Sequence, residues 1–317
     1  MAVLTRHGIR AGSRAMKRAL KPAVEKRLPP PGAGDWIAGV AMGTTGLRRF
    51  RLYRPPGVRS GERLPLMVML HGCGQDAKTF AMSTRMNAIA ARERFFVLYP
   101  EQDRLANPQG CWNWFDTSSG RAQGEAGLIL KAIDQVCLLH GADRDRIAIA
   151  GLSAGASMAA LLVSRHPERF KAVVMHSGIP PGTAHSAASA IGAMVGHRGT
   201  RPLPATAAAT SVLPPLMVIH GNVDAVVSAS NGRAAALAWA DAAGARPMKS
   251  RTVQRGKRYP MTVTDFRLKA DTVATLVEVD RLGHAWSGGA ARHAHGDRRG
   301  PDASRMAWTF ASKQFAA

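Results

Sequence analysis

The sequence predicts an α/β chain with a mostly parallel central sheet and helices on both faces. Three observations predict it. Short apolar runs of strand length alternate with helix-like segments along most of the chain. Leu64–Leu70 is apolar almost throughout, the pattern of a strand buried on both faces. Ile147–Ala150 runs through a glycine-rich turn into a helix of small residues, a strand–turn–helix unit.

The elements follow in order. In Leu47–Tyr53, Leu47, Arg49, Arg51 and Tyr53 alternate with Arg48, Phe50 and Leu52, which predicts a basic, outward-facing strand. After Leu64–Leu70 and its His71-Gly72-Cys73-Gly74 end, Thr79–Glu93 reads as one helix. Phe95–Tyr99 is a strand stopped by Pro100, and Glu125–Leu139 is a helix with Gly141 just beyond it. The small-residue helix reaches His166-Pro167, Ala172–Met175 is the next strand, and Pro214–His220 and Thr272–Val279 are two more. Ser304–Phe315 closes the chain as a helix. Residues 178–213, rich in Ala, Gly, Pro and Ser, are expected to form a cap or active-site insertion, and 251–271 a hairpin-like insertion.

Residues 1–34 precede this pattern as a basic arm and a Pro/Gly linker, leaving 35–317 as one α/β domain. Lys and Arg number 43 against 21 Asp and Glu, a net charge of +22. That excess raises anionic partners. No helix-turn-helix, zinc-finger or RNA-binding signature accompanies it, so no specific nucleic acid is expected, and the arm is left with weak docking to anionic surfaces. A basic polyanion-binding protein with a vestigial catalytic fold is the reading from another class. Hydrophobic residues at 46 % exclude wholesale disorder. Cys73, Cys111 and Cys137 are too few for a disulfide scaffold. Ligand clusters and dinucleotide fingerprints are absent, so neither metal nor cofactor is expected.

The chemistry concentrates at Gly151-Leu152-Ser153-Ala154-Gly155. A turn this sharp needs flanking residues without a β-carbon, and it lifts Ser153 to the sheet's end as a nucleophile. A serine hydroxyl needs a base to take its proton. In the chain order Ser, acid, His, the acid is Asp224, after the Pro214–His220 strand, and the base is His284, after Thr272–Val279. His71 and His220 are expected to hydrogen-bond locally. The backbone N–H groups of Cys73 and Ala154 are the expected donors to a tetrahedral oxyanion. Trp286 is expected to reach the site, and Trp112 and Trp114 either line it or pack beneath the loop. A Cys73–Cys111 bridge is the weaker of the two readings of those thiols.

The pieces Leu70-His71-Gly72-Cys73-Gly74-Gln75, Leu98-Tyr99-Pro100-Glu101-Gln102, Cys111-Trp112-Asn113-Trp114-Phe115, the Ser153 pentapeptide and Gly283-His284-Ala285-Trp286-Ser287-Gly288-Gly289 resemble the polyhydroxybutyrate depolymerase family of esterases. The resemblance runs from about residue 45 to the C-terminus. It implies the α/β-hydrolase fold and a serine esterase. The implied substrates are short hydroxyacyl esters, poly(3-hydroxybutyrate)-type polyesters or their oligomers, with feruloyl or acetyl-xylan esters as the alternative. Ser153, Asp224 and His284 match the family's triad, and the Cys73 loop its oxyanion loop. The resemblance implies an extracellular protein. The first 28 residues hold no uninterrupted apolar core of signal-peptide type, which keeps a cytoplasmic location open. Oligomeric state is not legible.

Overall fold

A computed structural model describes residues 30, 32–196, 203 and 213–316. The chain opens with an antiparallel pair, β1 (Asp35–Gly43) and β2 (Gly46–Arg54). Then come β3 (Leu64–Leu70), helices α1 (Ala77–Thr84) and α2 (Met86–Glu93), and β4 (Phe96–Pro100). Helix α3 (Arg121–His140), β5 (Ala142–Leu152), α4 (Ala154–Arg165) and β6 (Ala172–His176) follow. Helix α5 (Ala187–Met194) precedes β7 (Leu216–Gly221) and α6 (Ala229–Ala243). The chain ends with β8 (Arg246–Pro247), β9 (Arg251–Val253), β10 (Met261–Leu268), β11 (Asp271–Val279), a short pair β12 (Trp286–Ser287) and β13 (Gly296–Asp297), and α7 (Ala303–Gln314).

Among the described residues these strands build an 11-stranded sheet in the order β1-β2-β4-β3-β5-β6-β7-β11-β10-β8, with β9 beside β10. The run from β4 to β11 is parallel, and both flanks are antiparallel. The order reverses between β3 and β5, so their carboxyl ends open a crevice beside each other.

Alternation splits the central strands between two cores. Leu66, Val68 and Leu70 pack on one face with α3, α4 and α6. Met67 and Met69 pack on the other with α1, α2 and α7. Successive side chains of a strand point to opposite faces, so a strand covered on both sides must be apolar at every position. Residues 32–317 group as one compact unit. Most of the arm (residues 1–29 and Pro31) lies outside the described residues, as do 197–202 and 204–212 of the expected cap; the described part of the cap holds α5.

Several expectations need correction. Thr79–Glu93 is two helices, because Arg85 takes a left-handed conformation at φ 56° and stops the first. The strand over 47–53 is not outward-facing: Arg48, Phe50, Leu52 and Tyr53 are buried, because β1 pairs outside it and α3 covers one face. The expected 251–271 hairpin does form, as β9 and β10, and β10 joins the main sheet antiparallel to β11.

Candidate active site

Ser153 sits between β5 and α4 with φ 56° and ψ −121°, a conformation that side-chain-bearing residues rarely hold. The flanking glycines make room for it. A β-carbon on Gly155 would lie 2.2 Å from the Leu70 carbonyl oxygen, and one on Gly151 would lie 2.3 Å from the Gly155 backbone. Ser153 N–H donates to the His176 carbonyl at 2.8 Å, which anchors the turn to the end of β6.

Asp224 follows β7 in a tight turn. Its Oδ1 accepts the backbone N–H groups of Val226 at 3.0 Å and Val227 at 2.9 Å. Its Oδ2 accepts from His284 Nδ1 at 2.8 Å. His220 Nε2, also at 3.5 Å from that oxygen, donates to the Val227 carbonyl at 2.9 Å. Burial alone would raise the Asp224 carboxyl. The hydrogen bonds from His220, His284 and Val227, with the charge of His284, outweigh it and hold the group well below the usual carboxylate range. The structure thus joins Asp224 and His284 as the chain order predicted. It brings Ser153 to the same end of the sheet, where Ser153 Oγ makes no hydrogen bond among the described residues.

The expected oxyanion loop is built around Gly72. Its N–H donates to Gln75 Oε1 at 3.0 Å, and the Gly74 N–H donates to the Gln109 carbonyl at 2.9 Å. The intervening Cys73 N–H makes no hydrogen bond among the described residues. Ala154 occupies the first position of α4, where an N–H has no intrahelical acceptor. Cys73 is bonded to Cys111 through a disulfide, which realises the weaker reading of those thiols and ties the loop to residues 109–115. Cys137 is free and buried.

Trp286 departs from the sequence expectation, and Trp112 takes the second of its two readings. Trp286 and Trp112 are fully enclosed. The Trp286 indole N–H donates to Ser304 Oγ at 2.9 Å, and its ring stacks on His176 at 5.1 Å. The Trp112 N–H donates to the His71 carbonyl at 3.0 Å. Both therefore brace the site from beneath rather than line it. Trp114 keeps a 7 % exposed edge and meets Phe115 edge-on.

Two groups were not assigned roles from the sequence. Buried His176 accepts the Ser287 N–H on Nε2 at 3.0 Å, while its carbonyl holds Ser153. It therefore touches both the Ser153 turn and the loop after His284. Burial, with neighbouring His220 and His284, pushes its imidazole down to about 3, so it is neutral. Below Trp112 lies a polar network. Glu125 accepts from Gln102 Nε2 at 2.6 Å and from Asn113 Nδ2 at 2.7 Å, and Arg48 donates to Gln102 Oε1. The Arg48 guanidinium also lies 5.2 Å from the Trp112 ring centroid. The sequence signal was Arg48 sharing a strand face with Phe50 and Leu52. His71 bonds locally as expected: Nδ1 donates to the Gly72 carbonyl at 2.9 Å and Nε2 accepts the Gln102 N–H at 3.1 Å.

The family description "Esterase PHB depolymerase" matches residues 48–248, more than half of the chain. The chain belongs to this family. Poly(3-hydroxyalkanoate) depolymerase C of Paucimonas lemoignei is 36 % identical over 131 residues, 41 % of this chain and 31 % of that protein. Feruloyl esterase B of Neurospora crassa is 28 % identical over 143 residues, 44 % of this chain and 48 % of that protein. The matches thus span from about a third to about half of these relatives' lengths. An acetyl xylan esterase from Aspergillus awamori superposes with a TM-score of 0.67 at 19 % identity, covering 80 % of this chain and 94 % of that one. That likeness shows the shared α/β-hydrolase fold.

Proposed function

We propose that this family member is a serine esterase working through an acyl-enzyme. The observation that carries the proposal is the buried Asp224–His284 hydrogen bond at the sheet end where the strained turn presents Ser153. Ser153 Oγ attacks the ester carbonyl carbon as His284 Nε2 takes its proton. Asp224 holds Nδ1 protonated, so Nε2 is the free acceptor, and it stabilises the imidazolium that forms. The Cys73 and Ala154 N–H groups receive the tetrahedral oxyanion. Collapse breaks the bond to the leaving alcohol, which departs with the proton from His284. Water then repeats the sequence on the acyl-Ser153, regenerating the serine and releasing the acid.

Hydroxyacyl esters and poly(3-hydroxybutyrate)-type oligomers are the preferred substrates, supported by the family match and by the Paucimonas relative. Feruloyl or acetyl-xylan esters are the second reading, favoured by the Neurospora relative and the Aspergillus structure. Rates on 3-hydroxybutyrate oligomers, methyl ferulate and p-nitrophenyl butyrate separate the two, with Ser153→Ala as the control. Activity that survives Ser153→Ala would overturn the mechanism.

A further inference from the structure

A group of cations lies beside the loops that carry the candidate site. Arg281 and Arg299 approach the ring of Tyr259 from β11's end and from the loop after β13, with their guanidinium carbons 5.2 Å and 4.8 Å from its centroid. The Tyr259 N–H donates to the Arg299 carbonyl at 2.8 Å, so the two stretches are stitched together by backbone as well. Arg258 donates to the Gly300 carbonyl at 2.6 Å. Arg255 and Lys257 stand exposed in the same turn, and Arg298 is exposed beside Arg299.

None of these six cations forms an ion pair among the described residues, although other arginines do, such as Arg233 with Glu278 at 2.6 Å. Two acids share these stretches, Asp280 and Asp297. Their carboxylates are engaged by Asn222 Nδ2 at 3.1 Å and by the Arg299 backbone N–H at 2.8 Å. The six cations therefore outnumber the local acids and leave a strongly positive rim.

The rim adjoins the candidate catalytic groups. The Arg281 N–H donates to Asn222 Oδ1 at 2.8 Å, two residues before Asp224, and Arg281 itself lies three residues before His284. The loop carrying Arg298 and Arg299 also carries His295, whose ring lies 6.3 Å from that of His284. A fixed cluster of like charge at the mouth of a site raises the local concentration and the capture rate of oppositely charged substrates. Neutral esters gain nothing from it.

We propose that this rim selects esters bearing a free carboxylate away from the scissile bond, such as a hydroxyacyl oligomer with its terminal acid. The inference rests on the esterase reading and specifies its substrate. Carboxylate-ended oligomers are drawn in by the Arg281–Arg299 cluster and reach Ser153 faster than uncharged oligomers with the same ester bonds.

The test compares the 3-hydroxybutyrate trimer as its free acid and as its terminal amide, followed by chromatography of the products. At low salt the acid should show a kcat/KM at least about threefold above the amide. The preference should shrink at about 0.3 M NaCl, where screening shortens the reach of exposed charges. Arg281→Gln with Arg299→Gln should remove most of the preference while the amide rate stays within about twofold of the parent. Arg255→Gln with Lys257→Gln, in the exposed turn before Tyr259 and not over its ring, should reduce it without disturbing the Tyr259 stack. Hydrolysis of both trimers with equal, salt-independent kcat/KM would overturn this inference and leave the esterase reading intact. A preference unchanged in both double variants would also overturn it. Hydrolysis of neither trimer, nor of any ester in the panel, would overturn the esterase reading and this inference with it.

Discussion

Replacing Asp224 with asparagine tests the proposed base in a way the geometry makes specific. The carboxylate uses its two oxygens differently: Oδ1 takes two backbone N–H groups, at 3.0 Å and 2.9 Å, and Oδ2 takes His284 Nδ1 at 2.8 Å. An asparagine must turn its NH2 toward one side. Facing Val226 and Val227 it would oppose two fixed backbone donors and forfeit both bonds in a site closed to water. Facing His284 it forfeits one bond, which the imidazole restores by moving its proton from Nδ1 to Nε2. The second arrangement therefore wins. It places the proton on the nitrogen that must accept from Ser153. The same tautomer error in a serine protease lowers kcat by about 10⁴. At about 1.36 kcal/mol per tenfold, that is roughly 5.5 kcal/mol of barrier. Stability should fall far less, because the backbone bonds survive and one charge-assisted hydrogen bond, about 1.5–3 kcal/mol, is weakened. Steady-state hydrolysis of p-nitrophenyl butyrate gives kcat, and a thermal melt shows that the variant is folded. A folded Asp224→Asn protein with kcat within tenfold of the parent would refute the tautomer argument.

Three further outcomes are expected. His176→Phe keeps the ring but removes the acceptor for Ser287 N–H, so kcat should fall more than KM rises, and His176→Gln should recover part of it. Reducing the Cys73–Cys111 bridge, with its sequence separation of 38, should lower stability by about 4 kcal/mol on the loop-entropy estimate, read as a drop in melting temperature under reductant. Activity should decline with it if the bridge also holds the Cys73 N–H in place. Acid should destabilise the fold through buried His71 and His176, whose imidazoles burial pushes down to about 4 and about 3. Both are neutral in the folded chain, while unfolded histidine titrates near ~6.5, so below that pH the unfolded state binds more protons. Stability should therefore be flat above about pH 6.5 and fall steadily toward pH 4, by a few kcal/mol in all. Urea midpoints across that range measure it, and a midpoint insensitive to pH there would contradict the burial argument.

The parallel centre of the sheet was legible because burial on both faces forces apolar residues at every position, as in Leu64–Leu70. The Gly151–Gly155 turn was legible because its glycines answer a steric demand that no other residue meets. The Asp224–His284 pairing followed from chain order alone, since parallel strands deliver their following loops to one end. Other features depend on contacts that sequence does not display. β1, Asp35–Gly43, is mostly exposed, and its glycines hide the alternation. Arg48 read as a surface cation because its partners Gln102, Glu125 and Trp112 lie more than fifty residues away. Trp286 read as a pocket residue, and Trp112 was left between lining and packing, because proximity in sequence to His284 and Cys111 says nothing of which way a ring turns. Ser304 and the His71 carbonyl, which take their N–H groups, decide that.

The backbone at Ser153 carries a wider consequence. Holding a non-glycine residue at φ 56°, ψ −121° costs about 1–3 kcal/mol. Glycine would relieve that cost at a stroke and erase the hydroxyl. Alanine would erase the hydroxyl and keep the cost. The proposed nucleophile thus stands where folding, left to itself, would choose another residue. A library of this chain screened only for heat resistance should drift toward Ser153→Gly and a stable, inert protein. Only a screen that demands turnover would keep the serine.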